Sequence, residues 1–187
     1  MKRILFTLLA AVALCTVARA QETDSVKPHA QAKTLVAFFS VTGNTEQVAK
    51  ELAAVLDADL HRIQPETPYT LADLNWRDTK SRSSIELRDP KSRPAITKKL
   101  ENLESYDVIY LGFPLWWNAA PPIIRTFMES YKLAGKTIIP FATSRSSSIQ
   151  RAETLLLKDY PDVNWKEGRR LNDISQKELQ EWTEGIK

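Results

Sequence analysis

The sequence predicts an α/β fold with a doubly wound, five-stranded parallel sheet. Three observations carry that expectation. Unbroken apolar runs recur at Leu35-Val36-Ala37-Phe38-Phe39, Val108-Ile109-Tyr110-Leu111-Gly112-Phe113 and Ile138-Ile139-Pro140-Phe141-Ala142, the pattern of parallel strands covered on both faces. Stretches with helical apolar spacing alternate with these runs. No internal repeat is visible, so five strand–helix alternations read as one layered sheet.

The chain has 187 residues. Residues 1–20 read as a secretory signal peptide: Met1-Lys2-Arg3, a mostly apolar stretch from Ile4 to Val17, then Ala18-Arg19-Ala20 as a cleavage signal. Cleavage is expected after Ala20 and places the protein outside the cytoplasm, in the periplasm. The alternatives are a membrane anchor, for which the stretch is short, and a lipoprotein with Cys15 as acceptor, for which Leu14 is a poor neighbour. After cleavage no stable membrane span is expected. Residues 21–32 are polar and unpatterned and read as a flexible leader; residues 33–187 suit one domain with a sizeable core. The full chain has 26 Lys and Arg against 23 Asp and Glu. Losing Lys2, Arg3 and Arg19 balances the two, so the charge argues for no nucleic-acid partner. The one cysteine, Cys15, leaves with the signal, which excludes thiol chemistry in the mature chain.

The first apolar run leads into Ser40-Val41-Thr42-Gly43-Asn44-Thr45, and Val48, Leu52, Val55 and Leu56 then share one helix face. The six residues read as a strand-to-helix turn. A helix N-terminus offers unpaired N–H groups and positive dipole charge, Gly43 permits an unusual backbone conformation, and three hydroxyls crowd the turn. Together they describe a phosphate cradle of neutral donors; ordinary helix capping is the competing reading. Other phosphate readers are excluded. Gly135-Lys136-Thr137 lacks the glycine five positions earlier that a P-loop needs. The glycines at 43, 112, 135, 168 and 185 cannot form a dinucleotide fingerprint. A receiver-type phosphoaspartate site wants acids where Ser40 stands.

Residues 58–63 suit a weak second strand, with His61 read as facing solvent; a ligand-binding role is the alternative. Residues 64–94 carry four prolines and interleaved charges, long for a crossover. A charged helix over about 71–87 with flanking loops is one reading; a lid or rim beside a ligand, with Trp76 or an Arg reaching in, is the other. Residues 95–105 read as a short helix. The third strand ends at Pro114 and runs into Leu115-Trp116-Trp117-Asn118. Two tryptophans at a strand's C-terminal end, where open α/β sheets bind ligands, suit a flat ring, with one able to pack on the core while the other faces the crevice; the alternative is that both are core or interface residues. Pro121-Pro122 starts a helix with Ile123, Ile124, Phe127 and Tyr131 on one face. In the fourth strand Pro140 demands an edge or an irregular point. The loop Thr143-Ser144-Arg145-Ser146-Ser147-Ser148 follows. A helix over 149–158, a short strand at 163–165 and a final helix complete the chain. Ser175-x-x-Glu178 forms a capping box at that last helix, and Ile174 with Leu179 a hydrophobic staple.

S-x-T-G-N-T after a first strand, with P-x-W-W after the third, resembles the flavodoxin-like family over roughly residue 33 to the C-terminus. The resemblance implies the strand order 2-1-3-4-5 and a non-covalent flavin mononucleotide (FMN). It implies phosphate contacts from Ser40, Thr42, Gly43, Asn44 and Thr45, stacking and ring-edge contacts from Pro114, Trp116, Trp117 and Asn118, and pyrimidine-side contacts from Thr143, Ser144, Arg145 and Ser146. The family's third loop is usually glycine-rich; here Ser and Arg replace the glycines. The implied function is electron transfer, or flavin-dependent reduction of a small acceptor such as a quinone, with a redox partner protein or that acceptor as partner. The alternative is an exported binding module for another anionic or aromatic ligand without redox turnover. No Ser/His/Asp or paired-carboxylate arrangement demands acid–base chemistry, so neither catalytic residues nor a metal site is assigned. Arg145 beside the ring would raise the potential by favouring added negative charge. No Arg-Arg pair precedes the apolar stretch, so export would be unfolded and FMN would be captured afterwards.

Overall fold

The computed structural model describes residues 32–186; the expected signal peptide and all but Ala32 of the expected leader lie outside them. The elements run β1 (Thr34–Phe38), α1 (Asn44–Leu56), β2 (Asp59–Arg62), α2 (Arg82–Arg88), β3 (Val108–Pro114), α3 (Pro122–Glu129), β4 (Thr137–Thr143), α4 (Gln150–Asp159), β5 (Asn164–Trp165), β6 (Arg169–Arg170) and α5 (Gln176–Gly185). The sheet order is β2-β1-β3-β4-β5, every pairing parallel. The fifth position is split: β5 pairs with Thr137 and Ile138, and β6 with Phe141 and Ala142. Pro140 falls between the two pairings, where a missing N–H costs no ladder bond. A Cβ on Gly168 would lie 2.3 Å from the Pro140 carbonyl oxygen, so glycine is required where the chain crosses that gap.

Strand periodicity divides the core in two. Val36, Phe38, Tyr110, Ile139 and Phe141 pack with Leu52 of α1 and Leu179 of α5. Leu35, Ala37, Phe39, Ile109, Leu111 and Ile138 pack with Phe127 of α3 and Leu156 of α4. Gly112 stands opposite Phe141, whose ring would lie 2.2 Å from an added Cβ; glycine at 112 leaves room for that ring.

Pro114 ends β3, as the sequence suggests, and Thr143 is the last residue of β4 rather than the first of its loop. The capping box at Ser175 and Glu178 is present. Three sequence expectations change. The helix expected over 71–87 contracts to α2, capped by the Ser81 side chain. It has few apolar anchors and is held by polar contacts instead. The short helix over 95–105 is a 3-10 turn, Leu103–Ser105, and Ile96 pairs with Pro65. His61 does not face solvent. Its ring lies 6.4 Å from that of Phe127, and its Nε2 is buried without a partner. Burial, with Lys98 adding to it, lowers its pKa. Among the described residues no helix is long and apolar enough to cross a membrane, and no group of three or more His, Cys, Asp or Glu is placed to hold a metal.

Candidate functional site

The C-terminal ends of β1, β3 and β4 bring three loops together at the switch in strand order. β1 sends its chain back to β2 on one side, while β3 proceeds to β4 on the other. Such a divergence opens a crevice beyond the strand ends.

The first loop is the turn from Ser40 to Thr45. Gly43 adopts φ 91°, the left-handed region that only glycine enters freely, and no side chain caps α1. Ser40 accepts the Gly43 N–H on Oγ at 3.2 Å. Gln47 N–H donates to the Gly43 carbonyl at 2.9 Å. The N–H groups of Thr42, Asn44, Thr45 and Glu46 have no acceptor among the described residues. Ordinary side-chain capping, which α2 and α5 both have, is therefore absent where the sequence is richest in capping residues. Four donors and the positive end of a 13-residue helix remain open to an anion. Thr42 and Asn44 are exposed; Ser40 and Thr45 are buried. Arg62, which sequence reading missed, borders the turn. Its guanidinium donates to Glu46 at 3.1 Å and to the Ser40 carbonyl at 3.2 Å. A lone Arg on an edge strand gives no periodic signal.

The second loop turns over two residues. Trp116 and Ala119 exchange N–H···O bonds of 2.9 Å, and the residues between them, Trp117 and Asn118, have φ of 48° and 62°. Positive φ at both central positions is the type I′ turn. Asn tolerates it; a tryptophan there is an outlier, at a cost of about 1–2 kcal/mol. The two indoles differ in their surroundings. Trp116 packs edge-on against Phe39 at 5.8 Å and Tyr69 at 5.3 Å, while Trp117 is 42% exposed. Strain of this kind clusters at ligand sites.

The third loop is tied to both others through Thr143. Thr143 Oγ1 lies 2.8 Å from Thr45 Oγ1, both buried, and the Thr143 carbonyl accepts Leu115 N–H at 3.0 Å. The Thr45 hydroxyl is thus occupied within the protein, leaving its N–H as its open donor. Ser144 N–H donates to Asn172 Oδ1 at 2.7 Å, Ser147 N–H to Ser144 Oγ at 3.1 Å, and Arg170 to the Ser144 carbonyl at 3.0 Å. Arg145 and Ser146 are exposed, and neither forms a hydrogen bond or ion pair with the other two loops among the described residues. Asn172 was missed because it follows a two-residue strand that leaves no pattern.

Residues 64–94 form a packed rim. Tyr69 is buried, 5.7 Å edge-on from Phe39. Its hydroxyl donates to Glu86 at 2.5 Å, and Arg82 lies over its ring at 3.9 Å while donating to the same carboxylate at 2.6 Å. Burial, then the Glu86 carboxylate, pushes the phenol far above its usual range. Arg93 grips Glu129 of α3 through two bonds of 2.6 and 2.7 Å. That pairing holds the Glu129 carboxyl below its usual value.

The flavodoxin family model matches residues 33–186. A candidate flavoprotein from Bacteroides eggerthii is 52% identical, with a TM-score of 0.81 over 83% of this chain and 98% of its own. A second, from Bacteroides uniformis, is 54% identical, with a TM-score of 0.80 over 82% and 98%. A Lactobacillus acidophilus flavoprotein solved in complex with FMN is 21% identical, with a TM-score of 0.63 over 81% and 99%, a likeness of fold. Among curated proteins none matches the chain.

Proposed function

The chain belongs to the flavodoxin family, and from that premise we propose that the crevice binds FMN and that the protein works in electron transfer or in reduction of a small acceptor such as a quinone. The observation that carries this reading is the uncapped start of α1. There the N–H groups of Thr42, Asn44, Thr45 and Glu46 lack acceptors beside a left-handed Gly43. A phosphate monoester satisfies these donors at once. Ser40 shapes the turn by holding the Gly43 N–H. The exposed, strained Trp117 presents a stacking face for the flavin ring, with Trp116 as its packed support and Pro114 and Asn118 at the edge. Thr143 fixes the distance between the phosphate turn and the third loop through Thr45, leaving the Ser144 hydroxyl hydrogen, Arg145 and Ser146 for the ring's polar edge. Bound FMN supplies the redox chemistry; these residues bind it, orient it and set its potential. Export with cleavage after Ala20, and capture of FMN outside the cytoplasm, belong to the same proposal.

The third loop favours a second reading, a binding module without turnover. Its Ser144 and Ser147 N–H groups are engaged within the protein rather than held open for a ring. One experiment separates the two. Protein loaded with FMN and titrated with a reductant should bleach reversibly, and Arg145→Gln should lower the midpoint potential. A bound flavin that cannot be cycled supports the module; an unchanged midpoint in Arg145→Gln removes the electrostatic role of Arg145.

A further inference from the structure

A second concavity of about 410 Å³ opens where the 64–94 rim meets the Trp117 turn, α3 and α4. Two indoles stand on it, Trp76 (64% exposed) and Trp117. Three guanidinium groups line it, from Arg88, Arg125 and Arg151, and no Asp or Glu does. The three cations are held differently. Arg88 donates to the Ser84 carbonyl at 3.1 Å and to that of Thr79. Arg125 approaches Asp159 of α4 at 3.9 Å. Arg151 has neither an ion pair nor a hydrogen bond among the described residues.

We propose that this groove binds a small planar aromatic anion, a ring carrying a carboxylate or sulfonate. The volume is that of a small-molecule site. Two exposed indoles offer aromatic faces, that of Trp76 with Arg77 4.9 Å over its ring, and the Arg151 guanidinium, unpaired among the described residues on a lining without carboxylates, calls for an anionic partner. An uncharged ring could stack on Arg151 but would leave its charge desolvated without a neutralising partner. Binding itself stands on the groove alone. Its use as the seat of the electron acceptor rests on the FMN reading, because Trp117 belongs to both the groove and the proposed flavin loop.

The test uses FMN-saturated protein, so that the phosphate turn is occupied, and calorimetric titration with anthraquinone-2-sulfonate or uncharged 2-(hydroxymethyl)anthraquinone. The sulfonate is expected to bind about tenfold more tightly, the scale of a hydrogen bond to a charged group. Arg151→Gln should abolish that preference, and Trp76→Ala should weaken both ligands; each residue is exposed, so both variants should fold. Equal affinities for the two ligands, or a preference that survives Arg151→Gln, would overturn the proposal. If the protein holds no FMN, the flavin reading fails separately. The same titrations on flavin-free protein then decide the groove, because neither variant touches the Ser40–Thr45 turn.

Discussion

The hydroxyl pair between Thr45 and Thr143 is the tie that sets the first loop against the third. The two oxygens are 2.8 Å apart, in residues 1% and 5% exposed. Thr143→Val keeps the shape, the strand preference and the carbonyl that receives Leu115 N–H. It leaves the Thr45 hydroxyl buried with no partner. Such an orphan costs about 1–3 kcal/mol, whereas replacing both groups by apolar ones of the same shape is nearly neutral. At about 2–4 °C per kcal/mol for a chain of this size, Thr143→Val or Thr45→Val should lower Tm by about 2–12 °C. The double variant should recover most of that loss. Urea unfolding of flavin-free protein across the four-member cycle measures the coupling, expected at about 1–3 kcal/mol. Additive losses, with the double variant as unstable as the two singles summed, would refute the tie.

The two tryptophans should separate binding from folding. Trp117→Ala should weaken FMN by about 5- to 150-fold, from a stacking contribution of about 1–3 kcal/mol, while Trp116→Ala should cost about 3 kcal/mol of stability by opening the contact with Phe39 and Tyr69; fluorescence titration and melting curves read the two. Gly112→Ala should destabilise by at least about 1–3 kcal/mol, because the new Cβ meets the Phe141 ring at 2.2 Å, and Phe141→Leu in the same chain should recover part of it. The half-buried His61, whose Nε2 has no partner, gives a pH dependence. Its pKa is lowered in the folded state, so the unfolded chain takes up its proton first. Its contribution is whole above the unfolded value of about 6.5 and is lost as pH falls through the folded value. Melting curves from pH 7 to 5 should therefore fall less steeply in His61→Leu than in the parent chain, and parallel curves would contradict this.

How far the sequence could be read depended on what holds each element. β1, β3 and β4 are buried on both faces and announce themselves as apolar runs. The Ser40–Thr45 turn and the Trp116-Trp117 pair were legible as composition in unusual places. β5 and β6 were not, because two residues carry no period and each is defined only by its pairing with β4. The 64–94 rim was obscured because polar contacts secure it: Arg82 and Tyr69 on Glu86, Arg93 on Glu129. Charged residues that satisfy one another look, in sequence, like a solvated loop. The Thr45–Thr143 bond spans 98 positions, beyond any local pattern. The strain at Trp117 was hidden as well, since Trp-Asn is not the Asn-Gly pair by which a type I′ turn is recognised.

The central claim is that the open N–H groups at the start of α1 hold a phosphate. The most direct measurement is calorimetric titration of flavin-free protein with FMN and with riboflavin, which share the ring and differ in the phosphate. Several hydrogen bonds to a charged group predict FMN tighter by at least about 100-fold. Gly43→Ala should erase most of that margin while leaving riboflavin unchanged. Equal affinity for the two ligands, or no affinity for FMN, would contradict the account.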